Sequence, residues 1–442
     1  MNLVYGVNDK PSFGKLLVFA LQQLLAILAA TIAVPAIVGN GMSHSAALFG
    51  AGVGTIVYLL FTKFKSPVFL GSSFAFIGSM FAAFAGSVSS AAGYAGLILG
   101  AIFAGLVYVV LAIVVKIAGV NWINKLMPPV VIGPTVALIG LSLAGAAIND
   151  LQVGKVLVDG ASVASPYVCI ICGLVTLAVV IICSVYGKKM TKLIPFIIGI
   201  VAGYILAVIF TLIGNATQNP ALMVIDFSAF ANMQWYPDFT FVQAFKGISE
   251  IDGGYIATVA VAYIPVAFVV FAEHIADHKN LSTIIGQELL EEPGLHRTLL
   301  GDGVGSIVGA FFGGCPNTTY GESVGCVAIT GNASVITILT TAIIAIIASF
   351  VAPFVTFLAT IPNCVMGGVC ISLYGFIAVS GLKMIQQVNL GENKNLFVVA
   401  VILITGVGGL SLTFGQITIT SIACALILGI LTNLLVSKAK SE

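Results

Sequence analysis

Charge is what this sequence is short of: of 442 residues only 7% are Asp, Glu, Lys or Arg, while 59% are hydrophobic and the mean hydropathy is +1.15. So little polar surface cannot enclose that much apolar side chain in water, which excludes a soluble globular domain and makes the chain an integral membrane protein. The net charge of +1 leaves no basic face to neutralise phosphates, so nucleic acid is excluded as a partner. No short apolar stretch followed by small residues succeeds the polar start MNLVYGVNDKPSFGK, and a cleaved leader is not expected. Of the eight cysteines only Cys169 and Cys172 form a C-x-x-C, and neither a second pair nor a nearby histidine completes a zinc site. They read as small buried hydrophobes, with no cofactor implied.

What is present is a succession of apolar stretches long enough for a hydrocarbon layer roughly 30 Å thick. They lie near 16–36, 45–62, 67–85, 92–115, 128–148, 166–186, 193–214, 253–275, 299–314, 322–333, 334–358, 363–382, 395–412 and 416–436, fourteen in all. With both termini cytoplasmic, the inside receives Lys10, Lys15, Lys63, Lys65, Lys116, Lys125, Lys188, Lys189, Lys192, Lys279, Arg297, Lys383, Lys394, Lys438 and Lys440, and the outside only Lys155 and Lys246. One missed span would invert every later loop, so the basic residues support an even count and an all-α polytopic architecture.

The longest stretch between spans, about 216–252, falls outside and separates two sets of seven. An odd number per half requires that any repeat relating the halves be inverted. Weak similarity supports one: Pro128-Pro129-Val130-Val131-Ile132-Gly133 is similar to Pro362-Asn363-Cys364-Val365-Met366-Gly367. The third span opens Ser66-Pro67-Val68-Phe69-Leu70-Gly71-Ser72-Ser73-Phe74, and the tenth follows Cys315-Pro316-Asn317-Thr318-Thr319-Tyr320-Gly321. Proline, clustered hydroxyls and glycine at membrane depth make poor continuous helix. They read as broken segments, or else as ordinary loops between shorter helices. Extended backbone there is tolerable only where it is buried or lines a cavity, and paired broken segments mark a transporter's substrate site.

Two glutamates stand where apolar spans should carry no charge. Glu322 directly follows the second broken segment, and Glu273 lies near the cytoplasmic end of the eighth span. A carboxylate in hydrocarbon costs at least about 2.5–3.5 kcal/mol, so intramembrane acids are functional-site candidates by default. Asp277 shares a helix face with Glu273, and like charges at that spacing favour a shared or exchangeable proton. The alternative is that the span ends at Ala272, leaving Glu273 and Asp277 in water; His274 and His278 read as boundary residues. Gly301-Asp302-Gly303-Val304-Gly305-Ser306 has no βαβ context and is not a nucleotide loop. Gly305, Gly309 and Gly313 fit close helix packing, and Asp302 is read as an N-terminal cap or a polar site member.

Carboxylates only accept hydrogen bonds, so two facing one cavity suit a neutral ligand with several N–H donors, or a cation. The spans hold no Lys or Arg for an anionic substrate. Phe74, Phe76 and Tyr320 offer aromatic surface for a flat ring, and small, planar and N–H-rich describes a nucleobase. A channel-like conductor of a small neutral solute is a rival; a membrane-embedded hydrolase lacks a metal cluster or activated nucleophile.

Leu70-Gly71-Ser72-Ser73-Phe74-Ala75-Phe76, Ala272-Glu273-His274, Glu292-Pro293-Gly294-Leu295-His296-Arg297 and Pro316-Asn317-Thr318-Thr319-Tyr320-Gly321-Glu322 resemble the bacterial uracil permeases of the nucleobase/ascorbate transporter (nucleobase:cation symporter-2) family, over the whole length. The resemblance implies fourteen spans in two inverted seven-helix repeats, with short antiparallel strands in broken spans three and ten. It implies a core domain (1–120 and 253–360), a gate domain (121–215 and 361–442) and an extracytoplasmic loop (216–252). It further implies a homodimer in the cell (inner) membrane, contacting lipid, that imports uracil with a proton; a xanthine or urate permease is the alternative. By position, Glu273 and Glu322 would hold the base from two sides, with backbone groups at Phe74 and Gly321 and with Tyr320 beside the ring. Glu273, Asp277 or Glu322 would carry the proton. The chain departs from the family at Ser323, usually asparagine, at Gln22-Gln23, often Gln-His, and at Asp277, a histidine in some members.

Overall fold

The computed structural model describes residues 3–119, 128–158, 161–188, 190–414 and 417–437. The expected domain boundary at 120/121 and the topology markers Lys125, Lys189, Lys438 and Lys440 lie outside the described residues. The chain is mostly helix. In order come α1 (Phe13–Val38), α2 (His44–Phe61), strand β1 (Leu70–Ser72), α3 (Ile77–Ala85), α4 (Ser90–Ala118), α5 (Pro129–Ser142), α6 (Ala144–Asp150), the hairpin β2 (Leu157–Val158) and β3 (Ala161–Ser162), α7 (Pro166–Tyr186) and α8 (Pro195–Thr217). Then follow α9 (Thr240–Gly247), α10 (Gly253–Ile285), α11 (Leu295–Gly313), β4 (Asn317–Thr319), α12 (Gly321–Thr330), α13 (Val335–Ala348), α14 (Ala352–Thr360), α15 (Asn363–Ile385) and α16 (Asn393–Val407). The hairpin β5 (Leu412–Phe414) and β6 (Ile417–Ile419) leads into α17 (Ser421–Val436).

Local chemistry sets many of these ends. Ser43 and Ser89 accept from the amides of Ala46 and Ala92 at the starts of α2 and α4, and Asp252 accepts from Tyr255 N–H at 2.7 Å to start α10. Pro166 and Pro195 open α7 and α8, where a missing amide costs nothing. Among the described residues eight helices are long and apolar enough to cross a membrane, or nine if α13 and α14 together form one span.

Three expectations need correction. The eighth span does not stop near 275: α10 runs ten residues further, to a left-handed Gly286 with φ 67°. Glu273 through His278 are therefore inside a helix rather than beyond it. The 334–358 stretch is not one rod, because α13 and α14 are bent by 84° across residues 349–351. The 216–252 stretch is not bare loop, since it contains α9, which packs on α4.

Glycines decide how closely the helices approach. A Cβ on Gly50 of α2 would sit 2.5 Å from the Gly309 carbonyl oxygen of α11, and one on Gly54 would sit 2.8 Å from that of Gly305. No side chain fits there, so backbones meet directly, the small-residue packing expected for Gly305, Gly309 and Gly313. The same device joins α5 to α15, where a Cβ on Gly140 would lie 2.4 Å from the Tyr374 carbonyl. Around these seams α2 packs on α11 and α13, and α4 on α10 and α11, while α15 packs on α5 and α7, and α16 on α5 and α17. All eight cysteines are free thiols and all but Cys183 are buried, so a thiol-reactive dye reports unfolding. Gly50→Val is expected to lower the unfolding temperature in such a dye assay, through an overpacking cost of roughly 1–3 kcal/mol. An unchanged transition would show that the α2–α11 seam yields.

Candidate functional site

The site is built where the two broken segments meet. β1 and β4 pair antiparallel, Leu70 opposite Thr319, Gly71 opposite Thr318 and Ser72 opposite Asn317, so the strand expected in each broken span is present and each is the other's partner. Both strands are fully buried, and side chains of neighbouring helices close their remaining backbone groups. Thr55 Oγ1 of α2 accepts from Leu70 N–H at 2.9 Å. Asn317 Nδ2 donates to the Gly50 carbonyl at 3.0 Å, in the groove that the glycines leave open, and Ser306 Oγ donates to the Asn317 carbonyl. Each strand runs on into a short helix, β1 through a turn at Phe74–Phe76 into α3 and β4 through Tyr320 into α12.

The sequence-predicted residues lie around this pair. Glu322 is the second residue of α12 and is half-buried beside an exposed Gly321. Glu273 and Asp277 are half-buried on α10, with exposed Ala276 between them. Asp277 Oδ2 accepts from Thr319 Oγ1 at 2.9 Å, which ties α10 to β4, and a Cβ on Gly321 would lie 3.9 Å from Asp277 Oδ1. The carboxylates of Glu273, Asp277 and Glu322 are within electrostatic reach of one another. Phe74 is 9% exposed, its ring edge-on to Tyr374 of α15 at 5.9 Å. Tyr320 is 4% exposed, with its ring over Gly71 and its hydroxyl donating to the Ser72 carbonyl at 2.8 Å, and it also meets the Thr31 side chain of α1. The arrangement is a cluster of acceptor-only groups at a break in two helices, open on the Gly321 and Ala276 side.

His274 and His278 are not boundary residues: both are fully buried. His274 Nδ1 faces Asp302 Oδ2 at 2.6 Å, and its Nε2 faces Thr298 Oγ1 at 2.9 Å. Thr298 spends its own proton on the Leu295 carbonyl at 3.0 Å, so both His274 nitrogens face acceptors. His278 Nδ1 donates to the His274 carbonyl at 2.8 Å, and its Nε2 lies 2.7 Å from the Tyr58 hydroxyl, whose own proton goes to Ser66 Oγ at 2.7 Å. Asp302 is likewise not a cap. It is buried in the middle of α11, which begins at Leu295, and joins the polar network instead. Among the described residues no group of three or more His, Cys, Asp or Glu could hold a metal ion.

Residues that the sequence did not single out complete the framework. Thr319 is one of many hydroxyls in the broken segment, and nothing local marks it as Asp277's partner, 42 positions away. The Glu292–Arg297 stretch, which the resemblance did mark, works as a clasp to the end of α2: the Lys65 ammonium bonds Glu292 and holds its exposed carboxylate below the usual range, while Arg297 Nη1 reaches the Phe61 carbonyl at 3.4 Å.

Comparison with known proteins identifies the family. Uracil permeases of Bacillus caldolyticus and Bacillus subtilis are 39% and 37% identical, over 98% and 99% of this chain and 94% and 96% of theirs. The uracil permease of Escherichia coli K12 is 34% identical over 96% of the chain and 92% of its own length. Among solved structures, the transmembrane domain of the cyanobacterial bicarbonate transporter BicA shares the fold at a TM-score of 0.64 and 15% identity, covering 97% of this chain and 99% of that one. The murine anion transporter Slc26a9 does so at 0.66 and 12%, covering 97% and 69%. Residues 14–415 match the model of the Permease family, and with relatives above 30% identity over nearly its full length the chain belongs to that family, as a membrane permease and not an enzyme.

Proposed function

We propose that this protein imports uracil by proton symport, through alternating access. The observation that carries the reading is the group of half-buried carboxylates, Glu273, Asp277 and Glu322, at the junction of α10 with the strand pair. Uracil offers ring N–H donors, and these carboxylates offer acceptors. In this reading Glu273 and Glu322 hold the base from two sides, backbone groups at Phe74 and Gly321 complete its recognition, and Tyr320 lies beside the ring. Relatives named uracil permease support the choice of base. The coupling proton resides on Glu273, Asp277 or Glu322. Protonating a buried carboxylate removes its desolvation penalty and changes its hydrogen bonding, so proton and base occupancy favour each other.

The finer architecture belongs to the same proposal. Fourteen spans form two inverted seven-helix repeats in the inner membrane, with both termini cytoplasmic. A core domain, 1–120 with 253–360, moves against a gate domain, 121–215 with 361–442, and two copies pair through their gates; the segment at 216–252 lies outside. The denser packing of α2, α4, α10, α11 and α13 among themselves, and of α5, α7, α15, α16 and α17 among themselves, with α10 also touching α5, β6 and α17, supports that division.

Purified protein in liposomes is expected to accumulate radiolabelled uracil when an inward proton gradient is imposed and to lose that accumulation with a protonophore. Indifference to both sinks the coupling. Unlabelled uracil is expected to compete better than xanthine or guanine at two external pH values; stronger competition by a purine would make this a purine permease.

A further inference from the structure

The β1–β4 ladder is three residue pairs long, and both of its ends must be closed inside the protein. Bonded pairs alternate in an antiparallel ladder, exchanging two N–H···O bonds at every second position. Ser73 N–H donates to the Pro316 carbonyl at 2.9 Å, which sets the alternation: Ser73 with Pro316, then Gly71 with Thr318, then Phe69 with Tyr320. At this last pair only one bond of the exchange forms, from Tyr320 N–H to the Phe69 carbonyl at 3.3 Å. The return bond from Phe69 N–H is not made: the chain turns into α12 at Tyr320, whose carbonyl accepts Val324 N–H at 3.2 Å in the first turn of that helix.

Ser323 fills the gap. Its Oγ accepts from Phe69 N–H at 3.0 Å, standing where the Tyr320 carbonyl would be, and accepts also from Gln23 Nε2 of α1 at 2.5 Å. The same Gln23 amide lies 3.5 Å from the Ser323 carbonyl. A hydroxyl has two lone pairs, and both are taken by protein donors. Phe69 and Ser323 are fully buried and Gln23 is 3% exposed, so none of them is open to a ligand. Both residues are positions where the chain departs from the family's usual pattern, and they touch each other across 300 positions of sequence.

We propose that Ser323 and Gln23 are a positioning pair. Together they lock the register of the strand pair where α12 begins, and so fix Glu322, the residue next to Ser323, against the base. The effect on uracil affinity rests on the transport reading above; the register lock itself does not.

Two measurements separate them. In amide hydrogen exchange of the purified protein, the peptide spanning Phe69 is expected to lose protection in Ser323→Ala and to keep it in Ser323→Thr; equal protection in wild type and Ser323→Ala overturns the lock, whatever the substrate. In liposome uptake, Ser323→Ala is expected to raise the KM for uracil roughly tenfold, the size of one buried bond left unmade, with Vmax less affected. Ser323→Thr should restore most of it, and Gln23→Ala should give a smaller rise. Ser323→Ala combined with Gln23→Ala should be no worse than Ser323→Ala alone, because Gln23 acts through that oxygen. A wild-type KM in Ser323→Ala, additive effects, or a fall in Vmax alone overturns the positioning role. If Ser323→Ala fails to fold, Gln23→Ala decides the matter by the same KM criterion. Wild-type protein that takes up no uracil under any gradient refutes the transport reading and leaves the exchange result standing.

Discussion

Glu322→Gln is expected to weaken uracil binding by roughly 10- to 150-fold, the range set by losing a charge-assisted hydrogen bond of about 1.5–3 kcal/mol. The substitution keeps the size of the side chain and its place in the first turn of α12, so what it removes is charge and acceptor-only character. A carboxylate presents acceptors in any rotamer, whereas the amide must turn its carbonyl toward the ring N–H, and then points two donors of its own into the site. Glu273→Gln is expected to act in the same direction from the other side of the base. Glu322 sits in the first turn of α12 and Glu273 inside a long helix, and glutamine has the size and shape of glutamate, so neither substitution should alter unfolding of the protein. Equilibrium binding of radiolabelled uracil to purified protein checks both. Unchanged affinity in the two variants would remove the base from these residues and leave the strand junction without a ligand.

The residues that could be found from sequence were those that violate their surroundings. Glu273 and Glu322 stood out because apolar stretches carry so little charge, and the broken spans stood out because proline, hydroxyls and glycine interrupt an otherwise helical pattern. Strands in those two spans were implied by the family resemblance, and the structure places them at Leu70–Ser72 and Asn317–Thr319, paired with each other. What stayed hidden was the satisfaction of polar groups by distant partners. His274 and His278 read as the wet end of a span because a histidine pair is costly in the membrane unless something receives its protons. The partners that make this possible are Asp302, Thr298 and Tyr58, on α11 and α2, at 28, 24 and 220 positions' distance. With those partners α10 continues to Ile285; without them it would have ended near Ala272. The 84° bend between α13 and α14 was easy to pass over for the opposite reason: the stretch is apolar on both sides of the break, and only Pro353, at the start of α14, marks it. Ser323 stood out from sequence only as a departure from the family's usual asparagine, and its contacts belong to the ladder.

Asp302→Ala is expected to be the most damaging single change outside the carboxylate cluster. His274 is fully buried and both of its ring nitrogens face acceptors, Asp302 Oδ2 and a threonine oxygen whose proton already goes to the Leu295 carbonyl. The arrangement is complete when a proton lies between Nδ1 and the carboxylate while a second sits on Nε2. Truncation at Asp302 leaves Nδ1 without a partner where water cannot replace it, and breaking a buried pair in this way costs about 3–5 kcal/mol. Proteins hold a margin of only about 5–15 kcal/mol, so a large fall in the thiol-dye unfolding temperature and loss of uptake should appear together. Asp302→Asn separates structure from charge, because its amide oxygen can still accept from Nδ1–H. If Asp302→Asn unfolds like wild type and transports like wild type, the pair is a packing element that keeps α10 helical past Glu273. If it unfolds like wild type and fails to transport, the ionisable group itself takes part in the transport cycle. A wild-type unfolding temperature in Asp302→Ala would show that His274 has another acceptor within reach and that the α10–α11 contact does not depend on this pair.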